Sequence, residues 1–204
     1  MNPTDLLLVV DVQNDFLPGG ALAVPHGDDV IPVIRALAPR FDNVILTQDW
    51  HPPGHVSFAS HHGLTPFSVI ELPYGKQVLW PDHCMQGTRG AEFAAELSIT
   101  HAQAVIRKGY HAHTDSYSAF LEADRKTLTG LAGLLRERGL TTVFLCGLAT
   151  DFCVVWSALD AQAAGFEAVV IEDACRAIDT GGSLVAARAA MRDAQIRLVS
   201  SGAI

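Results

Sequence analysis

The chain has 204 residues, 49% hydrophobic and 18% charged, enough to bury one sizeable core in a single globular domain spanning 1–204. Its formal net charge of −8 weighs against a nucleic-acid partner or an anionic membrane surface. No apolar stretch reaches membrane-spanning length, the opening Met1-Asn2-Pro3-Thr4-Asp5 carries no basic segment, and Cys84, Cys146, Cys153 and Cys175 form no C-x-x-C pair, so the chain reads as a cytoplasmic protein with reduced thiols.

Leu6 to Val12 is an apolar run with Asp11 at its carboxyl end, predicting a buried strand of the parallel kind. A Pro/Gly-containing loop follows. Asp28 or Asp29 then opens a helix whose stripe is Val30, Ile31, Val33, Ile34 and Leu37, stopped near Pro39. Val44 to Thr47 predicts a second strand, running out at Gln48-Asp49-Trp50. Residues 50–100 break the alternation and hold five of the nine histidines, so a loop this long reads as functional and lid-like. Trp50, Phe58, Phe67, Tyr74 and Trp80 argue against disorder there.

Ala104 to Arg107 predicts a third strand, ending at Lys108. Thr129 caps a helix through Arg138 that Gly139 closes. Thr142 to Leu145 is a buried strand broken by Gly147, and Thr150 or Asp151 caps a helix from Phe152 to Ala164. Ala168 to Ile171, a helix over Ser183 to Ala194, and Ile196 to Val199 complete the series. Repeated strand-helix alternation with apolar strands predicts a parallel α/β sheet covered by helices on both faces.

Ligands of such sheets bind outside the carboxyl ends of the strands, where Asp11, Asp49, Lys108 and Cys153 all fall. Cys153 sits in the first turn of a helix, whose amides and positive dipole end favour a thiolate and could hold an oxyanion. Lys108 could lower the thiol pKa, and Asp11 could take the thiol proton and return it to a leaving amine. Singly, each has a duller explanation: a turn residue, a cap, a solvated charge, a small buried hydrophobe. That last explanation serves for Cys84, Cys146 and Cys175.

The second group is Asp49-Trp-His51-Pro-Pro-Gly-His55 with Trp80-Pro-Asp-His83. Positions i and i+2 at a strand end project to one side, so Asp49 and His51 can meet one ion. Two histidines and a carboxylate leave open coordination positions, which suits one divalent transition metal, Zn, Fe or Mn. Histidines of a solvated loop would show the same spacing, and His61 and His62 are read that way.

Together these residues resemble the nicotinamidases (pyrazinamidases) of the isochorismatase-like cysteine hydrolase superfamily, over essentially the whole chain. The motifs are Asp11-Val-Gln-Asn-Asp-Phe16, Asp49-Trp-His-Pro-x-x-His-x-Ser-Phe58, Trp80-Pro-Asp-His-Cys84, Arg107-Lys-Gly109, Asp115-Ser-Tyr-Ser-Ala-Phe120 and Gly147-Leu-Ala-Thr-Asp-Phe-Cys153. The resemblance implies a three-layer α/β/α fold on a mainly parallel six-stranded sheet. It implies Asp11, Lys108 and Cys153 as a catalytic triad, and Asp49, His51 and His83 as metal ligands, with His55 direct or water-mediated. The metal would receive the pyridine nitrogen of nicotinamide. A cis peptide before Ala149 would aim the Ala149 and Cys153 amides at the oxyanion, while Phe16, Trp80 and Tyr117 line the ring pocket. The implied reaction is hydrolysis of nicotinamide, and of pyrazinamide, to the acid and ammonia through a thioester on Cys153.

Three readings compete. Isochorismatase-type ether hydrolysis needs no nucleophilic thiol, and carbamoyl-amide hydrolases share the triad but generally lack the metal residues. A non-enzymatic metal or redox sensor would use an oxidisable Cys153 but has no need of Lys108 and Asp11. The patterning is compatible with a homo-oligomer without specifying one.

Overall fold

The computed structural model describes every residue from Met1 to Ile204. In chain order the elements are β1 (Asp5–Val10), α1 (Val30–Leu37), β2 (Asn43–Asp49), a short α2 (Ala59–His62), the hairpin strands β3 (Val69–Leu72) and β4 (Gly75–Val78), β5 (Ala104–Lys108), α3 (Leu131–Glu137), β6 (Thr142–Leu148), α4 (Val155–Ala163), β7 (Glu167–Arg176), α5 (Ser183–Asp193) and β8 (Arg197–Val199). Six strands form one sheet in the order β5-β2-β1-β6-β7-β8, and every neighbouring pair is parallel. The apolar runs explain this arrangement. All of β1 is buried, as is β6 from Val143 onward, which requires cover on both faces.

Connections run one way from β1 to β2 and the other way from β6 to β7 to β8, so right-handed crossovers put α1 on one face and α3, α4 and α5 on the other. Consistently, α4 packs against α5 and β7, while α1 packs beneath β6 and β7. The sheet and both helical layers share one cluster of 49 buried hydrophobic residues. This is the expected three-layer α/β/α fold. No helix is long and apolar enough to cross a membrane.

The stretch between β2 and β5 is folded, though it holds only α2, the β3–β4 hairpin and 3-10 turns in place of a crossover helix. Backbone hydrogen bonds tie it to the sheet's carboxyl edge, Trp50 to Lys108 and Ala94 to Val12, and hold it to itself, His51 to Cys84 and Trp80 to Ser57. All four cysteines are free and buried.

Local departures from the expected elements cluster near the site. β1 stops at Val10, because Asp11 takes a left-handed conformation with φ 48°. The helix expected from Phe152 begins as a π-helical turn, Thr150–Val154, and becomes α-helical only at Val155. Neither Thr150 nor Asp151 caps it, since Ala149 occupies that position without a side-chain bond. β7 is longer than the apolar core Ala168 to Ile171 suggests, and its register with β6 shifts between Leu145 and Gly147. Thr129 does serve α3, its hydroxyl accepting the Leu131 amide at 3.2 Å. The Leu148–Ala149 peptide bond is cis.

Gly147 is required where β6 lies beside Val10 of β1. Its φ is +113°, and a Cβ there would lie 2.1 Å from the Val10 carbonyl oxygen. Left-handed strain and backbone overlap together predict that Gly147→Ala lowers stability by roughly 3 kcal/mol, read as an earlier urea midpoint at unchanged slope.

Candidate active site

β1 and β6 are neighbours whose onward connections leave in opposite directions, which opens a crevice at their carboxyl ends. Lys108, the last residue of edge strand β5, reaches into that crevice and is fully buried. Its Nζ lies 2.7 Å from Asp49 Oδ1, 2.8 Å from Asp11 Oδ2, 3.1 Å from the Ser116 carbonyl and 3.3 Å from Cys153 Sγ. Four strand ends, β1, β2, β5 and β6, thus meet at one ammonium. Burial alone would push Lys108 toward neutrality, but Asp11, Asp49 and Cys153 outweigh it and raise its pKa well above the ordinary value.

Asp11 is held from beneath by Thr47 of β2. The Thr47 hydroxyl accepts the Asp11 amide at 3.1 Å and donates to Asp11 Oδ1 at 2.6 Å. Asp11 Oδ2 makes no aligned hydrogen bond despite its proximity to Lys108, so this buried oxygen keeps a lone pair. Burial raises the Asp11 pKa against the pull of Lys108, which suits a group that must both take and give a proton. The same burial pushes the Cys153 thiol well up, with Lys108 working in the opposite direction. Desolvation thus opposes the helix-terminus preference for a thiolate, and Asp11 stands beside the thiol as a base able to take its proton.

Asp49 uses its two oxygens differently. Oδ1 pairs with Lys108, while Oδ2 lies 3.2 Å from His51 Nε2 and 3.5 Å from His83 Nε2. The Nδ1 atom of His51 faces the Gly109 carbonyl and that of His83 the Pro81 carbonyl, both at 2.8 Å. Only a protonated Nδ1 can make those bonds, so both Nε2 lone pairs converge with the carboxylate. Gly109 has φ +65°, and a Cβ there would come within 2.5 Å of the His51 ring. Buried Asp49, His51 and His83 form a group that can hold a divalent metal ion, and two nitrogens with one oxygen suit a transition metal.

His55 stacks on His51 with ring centroids 4.2 Å apart, but its own nitrogens are engaged elsewhere. Nε2 donates to the His111 and Thr114 carbonyls at 3.1 Å each, and Nδ1 meets Ser57 Oγ at 2.7 Å. His55 also groups with His51 and Asp115, all buried, as residues that could hold an ion. Burial and His51 hold His55 neutral, with its pKa lowered to about 4.

One cavity connects the two groups. Phe16, Leu22, Trp80, Tyr117, Phe152 and Ile178 wall it, and Asp49, His51, His83, Ala149 and Cys153 open onto it. The aromatic walls are fixed against one another: Trp80 meets Phe152 edge-on at 4.9 Å, and the Tyr117 hydroxyl accepts Trp80 Nε1 at 3.1 Å. A flat, apolar ring bearing one polar group on the Cys153 side is the ligand such a slot accommodates.

The Isochorismatase domain family matches residues 5–202. The chain belongs to the isochorismatase family. A nicotinamidase of Acinetobacter baylyi is 57% identical over 96% of this chain and 92% of its own length. A nicotinamidase/pyrazinamidase structure from Acinetobacter baumannii superposes with a TM-score of 0.98 at 56% identity, covering 100% of this chain and 99% of that one. A zinc complex of Pyrococcus horikoshii pyrazinamidase superposes at 0.80 with 36% identity, covering 97% and 99%.

For this isochorismatase-family chain, the residues that sequence reasoning passed over are the supports. Gln13 pairs with the backbone of Asp49, accepting its amide and donating to its carbonyl at 2.8 Å each, and also donates to Ala91. Gln77 donates to Asp115 Oδ2 at 2.7 Å and reaches the Tyr117 hydroxyl. Gln13 and Asp115 lie inside quoted motifs, but nothing in their spacing shows which partner each meets. Thr47→Val is expected to leave two buried groups of Asp11 unpaired. It should cost about 2 kcal/mol in urea unfolding and lower turnover roughly tenfold or more through misplacement of the base.

Proposed function

We propose that this chain is a metal-dependent cysteine amidohydrolase that converts nicotinamide, and pyrazinamide as its ring analogue, to the acid and ammonia. The observation that carries the reading is the shared Asp49, one oxygen on the Lys108 that touches Cys153 and the other on the paired histidines. The nicotinamidase and pyrazinamidase relatives support the choice of a pyridine carboxamide. The triad is Asp11, Lys108 and Cys153.

Asp11 Oδ2 takes the Cys153 proton, and the thiolate attacks the carboxamide carbon while Lys108 steadies the negative charge beside it. The Ala149 and Cys153 amides stabilise the tetrahedral oxyanion, each donor worth roughly 3 kcal/mol. Asp11 then gives its proton to the departing nitrogen, ammonia leaves, and a thioester remains on Cys153. Water deprotonated by Asp11 adds to the thioester, releasing the acid and restoring the thiol. Asp49, His51 and His83 would hold the divalent ion, which when bound supplies a Lewis acid for the ring nitrogen and so orients the carboxamide toward Cys153. Phe16, Trp80 and Tyr117 clamp the ring.

Ammonia release from nicotinamide should fall on chelation and recover with a single added metal, which also names the ion. A carbamoyl substrate should release none. Cys153→Ala should lower turnover on the order of 10⁴-fold or more with an unchanged unfolding curve, and substantial residual activity would sink the assignment. His83→Ala should abolish stoichiometric metal retention measured by elemental analysis, while iodoacetamide still alkylates Cys153.

A further inference from the structure

Asp151 stands two residues before the nucleophile and plays no part in the chemistry above. The residue is buried, and its carboxylate is held by hydrogen bonds and by no ion pair. Instead it gathers donors from a segment far along the chain. Oδ1 accepts the Ile178 amide at 3.0 Å, and Oδ2 accepts the Asp179 amide at 2.8 Å and the Ser183 hydroxyl. These bonds fall on the stretch joining β7 to α5, which has no regular structure of its own and includes left-handed residues at Asp179, Gly181 and Gly182, with φ 52°, 58° and 82°. A backbone of that shape cannot join the sheet ladder, so the buried carboxylate satisfies it in the ladder's place.

The consequence lies one side chain away. Ile178 packs against the core and is the one residue of its segment that lines the cavity, together with Leu22, Phe152 and Cys153. We propose that Asp151 is a positioning residue that pins Ile178 in place, and that Ile178 sets the width of ring the site admits. The inference rests on the pyridine-carboxamide reading given above and names the substrate limit within it.

The test compares wild type, Ile178→Ala, Asp151→Asn and Ser183→Ala on nicotinamide, 5-methylnicotinamide and quinoline-3-carboxamide, with hydrogen exchange followed at the Ile178 and Asp179 amides. Ile178→Ala should raise kcat/KM for the larger amides relative to nicotinamide by about tenfold, the discrimination a few carbons in an apolar pocket provide. Asp151→Asn should move the same ratio in the same direction, mainly through KM, and speed exchange at those two amides while β6 stays protected. Ser183→Ala removes one donor of the three and should show a smaller shift, which keeps the test available if Asp151→Asn does not fold. A wild type active on nicotinamide whose substrate ratios and amide exchange are untouched by these variants would overturn the inference alone. A wild type that releases no ammonia from nicotinamide would overturn the underlying reading with it.

Discussion

The buried ammonium of Lys108 is the constraint on which the site depends. A charge at 0% exposure is tolerated only where its desolvation is offset by partners, and here two carboxylates, a carbonyl and a thiol surround it. Those partners come from the residue after β1, from β2, from the segment after β5 and from the turn after β6. Removing the ammonium would leave Asp11 and Asp49 facing one another in a medium that screens them poorly. The charge that lowers the barrier to thiol ionisation therefore also holds the carboxyl edge of the sheet together.

Asp49 extends that constraint to the histidines. Because one oxygen serves Lys108 and the other faces His51 and His83, the nucleophile and the metal-holding group are parts of one electrostatic unit. With Asp11 and Asp49 both ionised, two negative charges face one positive charge, which favours a cation at the histidine end. The pKa of Asp49 is held well below the carboxylate range: burial opposes this, but Lys108 and His51 outweigh it. The supports are polar, and Thr47, Gln13 and Gly109 are equally buried. Thr47 sets Asp11, Gln13 sets the Asp49 backbone, and the Gly109 and Pro81 carbonyls set the two imidazoles.

The long connection between β2 and β5 is ordered by similar means. Asp15 accepts the Cys84 amide at 2.7 Å, Gln13 and Gln48 both donate to the Ala91 carbonyl, and Gln77 ties the hairpin to Asp115. These bonds replace the ladder of a crossover helix and place Trp80 and His83 over the crevice. A region rich in Pro and His holds its shape because buried side-chain amides and carboxylates satisfy its backbone.

Apolar periodicity alone marked the six strands of the main sheet, their parallel character and the helices on both faces, because burial on two faces leaves a local imprint on composition, whereas the exposed β3–β4 hairpin left none. Proximity to strand ends likewise marked Asp11, Asp49, Lys108 and Cys153, since parallel topology sends all carboxyl ends to one edge. The roles the resemblance implied for Phe16, Trp80 and Tyr117 could not be drawn from spacing. Only the tertiary structure decided that β1 ends just before Asp11, that the nucleophile rides a π-helical turn, that Asp151 serves the β7–α5 segment in place of a helix cap, and that His55 gives one nitrogen to carbonyls of the segment after β5. Each of these is settled by partners tens of residues away. A side chain's neighbours in space set its hydrogen bonds and desolvation, whereas its neighbours in sequence set only the period on which it falls.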